Sequence, residues 1–288
     1  MATPFLLGSY LTCEEYRAAP TALSTNNLVP GADQPTQDAE LASLIEEASR
    51  KIDEWAWQSL YATPGAQQDS DVRIRDGCAI LHARQDRVKA VTAFAWGAQW
   101  TSLTTLDNPS VWIEENRVRV ALTGAGMTWS GSLNLYTPTS GSISASWAYI
   151  AGWATTRLTD PANIGDQVIT VDNPNGIVGV ATNGIPATYL ELSNGAYRNT
   201  YMVQSVTGSV VTLATPLAET WPAGAGASEA PADVRKATQK VTSHYIKERS
   251  GTGIVMSRNP TNSSSASTGG DEMAEAQATA ERYRRIAP

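Results

Sequence analysis

The hydrophobic positions change period along the chain. Between 37 and 60, Leu41, Leu44, Ile45, Ala48, Ile52 and Trp55 recur at three- and four-residue steps. That spacing draws one apolar stripe and predicts an amphipathic helix. Asp38 stands at its start. Glu46, Glu47, Arg50, Lys51 and Glu54 fill the opposite face. Glu46 to Arg50 and Glu47 to Lys51 are i,i+4 pairs in the favourable order, each contributing about 0.2–0.5 kcal/mol. The helix ends in an aromatic cluster within "ASRKIDEWAWQSLYAT". Trp55 continues the stripe and should be buried. Trp57 lies about 200° further round, which predicts a contact with a sheet or a neighbouring subunit.

Before it, Thr12 followed by Glu14 and Glu15 marks a short helix over 11–19, stopped by Pro20. Residues 20–36 read as a loop. From 72 to 153 the period drops to two. Asp76-Gly77 signals a tight hairpin, and Val118 and Val120 alternate with Arg117 and Arg119. A mostly antiparallel sheet is expected. Over 159–221, short strands separated by Asn175-Gly176, Asn194-Gly195 and a Thr-Gly-Ser turn predict an inserted small β domain, a barrel or sandwich. "PAGAGASEA" (222–230) reads as a linker.

Helix returns at 231–249, with Pro231 in the first turn and Gly251 as the stop. Its stripe is Val234, Ala237, Val241 and Tyr245. Residues 257–270 are low-complexity and read as a flexible linker. The last segment, "DEMAEAQATAERYRRIA", places acids first and bases last, as the helix dipole favours. Its apolar face is thin (Met273, Ala276, Ala280, Tyr283), so it is expected to need a partner and to act as a docking helix.

Composition sharpens this picture in three places. The chain has 288 residues, 42% hydrophobic and 17% charged, so it is globular and long enough for a real core. Its net charge of −7 argues against binding nucleic acid through a broad basic surface. The charge is uneven: residues 1–60 hold nine acids and three bases, and residues 231–258 hold six bases and two acids. Pairing between neighbouring copies and simple unevenness both account for that. Cys13 and Cys78 have no partner spacing, so neither a disulfide framework nor a zinc site is implied. The opening "MATPFLLGSYLT" has no basic n-region and only a short apolar run. No signal peptide or membrane span is expected, and the fold should form in a reducing cytoplasm.

Catalytic motifs are missing from the sequence: no H-E-x-x-H, Cys cluster, phosphate-binding loop or nucleophile elbow. His82 and His244 stand alone. Glu114 and Glu115 would point to opposite faces of a strand and form no glycosidase pair. The β-region tryptophans Trp96, Trp100, Trp112, Trp129, Trp147 and Trp153 would stack sugars if they shared an exposed face. A carbohydrate or host-surface binding module is therefore the alternative reading, and a hydrolase with an unrecognised carboxylate pair the third.

The order of elements carries a resemblance. "YLTCEEYRAAP" opens the chain, and "LVPGADQPTQDAELASLIEEASRKIDEWAWQSLYAT" follows. "AYIAGWATTRLTDPANIGDQVITVDNPNGI" and "PADVRKATQKVTSHYIKERSGTGIVM" come later. Over 10–256 this resembles the head-to-tail adaptor (connector) proteins of tailed bacteriophages, of the kind found in siphophages of actinobacteria. The resemblance implies an α+β fold. It has a helical-bundle adaptor core (1–158 and 222–256), an antiparallel β-sheet region, the 159–221 insertion and a C-terminal docking segment (257–288). It also implies a structural virion protein, made in the host cytoplasm, without catalysis or cofactor. Such proteins form a homo-oligomeric ring, commonly dodecameric, between the portal and the next neck or tail protein. The ring extends the DNA channel, and DNA passes without sequence-specific binding. On this reading Arg235, Lys236, Lys240, Lys247, Arg249, Trp57, Met273 and Tyr283 are candidates for subunit or portal contacts.

Overall fold

The computed structural model describes residues 8–284 except 22, 98–99, 101–102, 108, 115–116, 123–139, 181–184, 196 and 250–267. Most of the expected 257–270 linker lies outside the described residues, as do Gly251, Glu115 and Trp129.

Two helices open the chain, α1 (Cys13–Ala18) and α2 (Gln34–Ala56). Thr12 caps α1 through a reciprocal box: its hydroxyl accepts from Glu15 N at 3.2 Å, and its N–H donates to Glu15 Oε2 at 2.8 Å. Asp33 caps α2 by accepting from Thr36 N at 3.1 Å, with Pro35 in the first turn. The helix therefore starts ahead of the apolar stripe, and Asp38 is its fifth residue, past the first turn and paired with Arg17. It ends at Trp57, which adopts a left-handed conformation (φ 56°). Leu41, Leu44, Ile45, Ala48 and Ile52 are buried as the stripe predicts, while Trp55 is only half-buried.

Seven strands follow: β1 (Thr63–Arg75), β2 (Cys78–His82), β3 (Val88–Gly97), β4 (Thr104–Thr105), β5 (Val111–Glu114), β6 (Arg117–Ala121) and β7 (Ser140–Ala151). They form one antiparallel sheet in the order β4-β3-β7-β1-β2-β6-β5. Asp76 and Gly77 both have positive φ (54° and 74°), as a primed two-residue hairpin turn requires. The β region begins at 63 rather than 72, because Thr63–Asp69 pairs with Ala145–Ala151 of β7. Gly65 belongs there for a packing reason: a Cβ on it would lie 2.8 Å from the Tyr149 ring. Val72, Leu81, Phe94, Val118, Ile143 and Trp147 fill the inner face. Trp147 donates its indole N–H to Asp69 at 2.8 Å, next to the bulge between Asp69 and Val72.

The second sheet contains β8 (Thr155–Arg157), β9 (Val168–Thr170), β10 (Tyr189–Ser193), β11 (Arg198–Thr207), β12 (Val210–Leu213) and β13 (Gly226–Ser228). Its order is β8-β13-β10-β11-β12-β9. The two edges meet through a bridge between Leu158 and Val171, with Thr159 N donating to Thr170 O at 2.9 Å. The six strands thus close into a small barrel around Leu158, Val171, Leu190, Val203, Val211 and Trp221. Lys89 of the first sheet pairs with Glu229, just past β13, at 2.6 Å, and Glu229 also accepts from Ala154 N at 3.3 Å.

The chain returns to helix in α3 (Ala232–Arg249) and α4 (Thr268–Glu281). One apolar cluster joins Ala48 and Ile52 of α2, Val234, Ala237 and Val241 of α3, and Ala276 and Ala280 of α4. Trp153, just past β7, closes its base. A second cluster sets Tyr16 of α1 against Leu41, Leu44 and Ile45 of α2 and Ile246 of α3. The small alanines let the helix backbones approach closely.

This architecture corrects the expected fold class. The protein is mostly β, two curled antiparallel sheets carrying four helices among the described residues, and not a helical bundle with β additions. The physical reason is where the apolar area goes. Each sheet encloses its own core, and the helices bury one face each in a smaller layer beside them.

Candidate interaction surfaces

A buried ion-pair cluster fixes the helical layer to the barrel. Arg235 on α3, its side chain 3% exposed, lies 3.3 Å from Glu15 of α1 and 2.6 Å from Glu191 of β10. Burial pushes the Glu15 carboxyl up, against the Thr12 N–H and the Arg235 charge, which pull it down. Burial also works against the Arg235 charge, but its bonds to Glu191 and Glu15 outweigh it, and the guanidinium stays firmly protonated.

The remaining charged residues of α3 are engaged within the chain with one exception. Lys240 pairs with Glu275, Lys247 with Glu272 at 2.9 Å, and Arg249 with Glu40. Lys236 is exposed and has no ion pair among the described residues. The acidic front and basic late helix therefore meet inside one chain, through Arg235–Glu15 and Arg249–Glu40. Met273 packs half-buried in the helical cluster. Tyr283 donates its hydroxyl to both Asp233 oxygens at 2.9 Å, and its ring meets Trp153 edge-on at 5.1 Å.

Asp53, near the end of α2, is a carboxyl that burial holds towards its uncharged form. It accepts from the Tyr10 hydroxyl and from Leu60 N, the latter at 3.0 Å. Burial raises its pKa from 3.8 to about 7, partly opposed by those two bonds. Between these values the folded chain holds the proton that the unfolded chain has released. Stability linked to Asp53 is thus full below about pH 4, declines as pH rises towards 7, and is level above. The shift corresponds to at most about 4 kcal/mol at 1.36 kcal/mol per unit. In Asp53→Asn the side-chain oxygen still accepts both bonds. Urea melts should then show this decline abolished, with stability at pH 8 raised by about 1–3 kcal/mol. An unaltered slope between pH 5 and 8 would refute the assignment.

Beside Asp53 lies a cleft of about 270 Å³. Its walls are Gln58, Ser59 and Leu60 after α2, Asp86 and Arg87 before β3, Gly152 after β7, and Arg282, Tyr283 and Arg284 after α4. Gln58 ties these segments together. Its amide donates to Tyr283 O at 2.7 Å and to Asp86 at 3.3 Å, and its oxygen accepts from Asp86 N at 3.0 Å. Gly152 has φ 110°, and a Cβ there would fall 2.4 Å from Tyr61 O, so no larger residue fits the floor. Arg87 has φ 61°, a conformation that strains a non-glycine residue by roughly 1–2 kcal/mol. Its guanidinium lies 4.5 Å from the centre of the Trp153 ring, and that of Arg284 lies 3.3 Å from the centre of the Trp57 ring. Trp57 is 67% exposed, so its contact within the chain is with Arg284.

Trp57 and Tyr283 stand out in the sequence as contact candidates, whereas Arg87, Arg282 and Arg284 do not. The basic end "ERYRRIA" was the available signal for the last two. Arg87 had none. The described β-region tryptophans do not share an exposed face: Trp147 and Trp153 are buried, Trp96 is half-buried, and Trp100 and Trp112 are 40% and 46% exposed. Among the described residues no group of His, Cys, Asp and Glu could hold a metal ion, and no helix is long and apolar enough to cross a membrane.

No family model and no curated protein matches the chain. Among solved structures it is similar to a chain from the neck of an empty GTA particle with C6 symmetry, at 13% identity over 96% of this chain and 95% of that one. The TM-score is 0.37, too low for the likeness to decide fold or role.

Proposed function

We propose that the chain is a structural neck protein of a phage-type particle, an adaptor subunit that forms a ring between the portal and the tail. The observation that carries this reading is the convergence of the segments that resemble phage adaptors. "YLTCEEYRAAP" and the α2 segment are separated in sequence from "PADVRKATQKVTSHYIKERSG" by both sheets. They nonetheless pack as one helical layer through Tyr16, Ile45, Ile246 and the Arg235–Glu15 pair. The Tyr16 hydroxyl meets Ser243 at 2.9 Å in the same layer.

In this reading the helical layer is the adaptor framework, and the 159–221 unit is an insertion that decorates it. The ring is a dodecamer, extends the DNA channel and meets a downstream neck protein. DNA passes through it unread, in keeping with a net charge of −7. The chain has no catalytic role and needs no cofactor. It resides in the virion neck, as in siphophage particles. Lys236, Arg249 and Trp57, the exposed members of the candidate set, are the residues through which neighbours would be met. Electron microscopy of the assembled particle tests this reading. The chain is expected as a closed ring directly below the portal, and its location at the tail tip or on the capsid surface would overturn the proposal.

A further inference from the structure

We infer that the cleft between α2, the β2–β3 loop and the turn after α4 is a docking site for an acidic peptide segment of a protein neighbour. A carboxylate of that segment would be held among Arg87, Arg282 and Arg284. The inference does not depend on which particle the chain belongs to.

Three observations meet at this place. The first concerns unused charge. Most described Lys and Arg side chains have an acidic partner within the chain. Arg73, Arg84, Arg87, Arg117, Lys236, Arg282 and Arg284 have none among the described residues, and three of these seven line one cleft. The second is that the cleft is built. Gln58 bridges two of its walls, Tyr283 is anchored on Asp233, and Gly152 is packed so tightly on the Tyr61 backbone that no Cβ fits there. The third is stacking. Two of the guanidinium groups lie over Trp153 and Trp57, which hold their planes while leaving N–H edges to donate. A planar fork held in that way fits the paired oxygens of a carboxylate or phosphate.

Size and surroundings favour the peptide. A space of about 270 Å³ takes one or two side chains, not a duplex. Asp86 stands on the wall, and Asp233 lies behind Tyr283. With an overall charge of −7, these acids disfavour a long run of phosphates. A peptide can bring a single carboxylate to the arginines and lay apolar atoms along Trp57, which is largely exposed.

The test uses the full chain and a fluorescein-labelled ten-residue Asp/Glu/Gly peptide, read by anisotropy in low salt. Saturable binding is expected, weakening as NaCl is raised. The double variant Arg282→Gln, Arg284→Gln should bind at least tenfold more weakly, and the control Arg73→Gln, an exposed arginine of β1 outside the cleft, should bind like the parent. Thermal melts verify that each variant folds. If the double variant does not, Arg87→Asn, whose side chain tolerates the left-handed backbone, carries the same expectation. No binding, or equal binding by the variant, would overturn the proposal. Displacement of the peptide by a duplex oligonucleotide at lower concentration than by unlabelled peptide would overturn it too, by assigning the cleft to phosphodiester.

Discussion

Replacing Arg235 by Ala should destabilise the chain by about 3–5 kcal/mol, the usual penalty for removing one partner of a buried ion pair. The expectation follows from what is left behind. Glu15 is buried at 4% side-chain exposure and would face Glu191 without the guanidinium between them. The Thr12 N–H and the Ser193 side chain remain to it, with the Arg198 charge further off, and none of them replaces the buried guanidinium. Arg235 also joins three elements, α1, α3 and β10, so its loss loosens the helical layer from the barrel. A second substitution separates charge from packing. In Arg235→Met, Glu15→Gln, the amide oxygen keeps the capping box, and the one carboxylate left from the cluster is Glu191, a quarter exposed and 3.6 Å from Arg198. That double variant should recover at least half of the lost stability in urea melts. If Arg235→Ala melts within about 0.5 kcal/mol of the parent, in the range of ordinary surface changes, the cluster holds nothing together.

Ala276→Asp should detach α4. Ala276 is fully buried against α2 and α3, among Ile52, Ala237 and Val241. A carboxylate there has no partner, and leaving it so would cost several kcal/mol. The helix can relieve that strain by leaving, so the loss is capped by the packing energy of α4, about 3 kcal/mol on the scale of its buried alanines, Met273 and Tyr283. Hydrogen exchange is the suitable readout because the effect is local. Amides of 272–281 should lose protection while β1, β7 and the barrel strands keep theirs. Binding of acidic peptide should fall as well, since Arg282 and Arg284 leave with the helix. Uniform loss of protection across both sheets would show instead that α4 is integral to the whole fold.

Local signals were legible in the sequence, and long-range ones were not. Thr12, the α2 stripe, Asp76-Gly77 and the 231–249 helix each rest on contacts a few residues apart, and each lies close to where it was read. Strand β1 begins nine residues early because Pro64 and Gly65 are poor strand formers on their own. Their place is set by pairing with Ile150 and Tyr149, far along the chain. The helical-bundle expectation came with the resemblance to phage adaptors and not from periodicity, which pointed to strands over 72–153 and 159–221; that those strands enclose the larger cores is declared only once they pair. Charge was readable without its partner. Acidic front and basic late helix were visible, but that Glu15 and Glu40 meet Arg235 and Arg249 within one chain was not. The arginine cleft draws on four separate segments, and of its lining residues only Tyr283 stands out as a contact candidate in the sequence.

The central claim is a place in an assembly, and the direct measurement is a reconstruction of the particle neck by electron microscopy with this chain traced in it. The account predicts a closed ring beneath the portal, a continuous channel through its centre and, on its outer side, the barrel, which runs past the expected 159–221 bounds to take in β8 and β13. It is contradicted if the chain is missing from the neck, or if it sits there as isolated copies that enclose no channel.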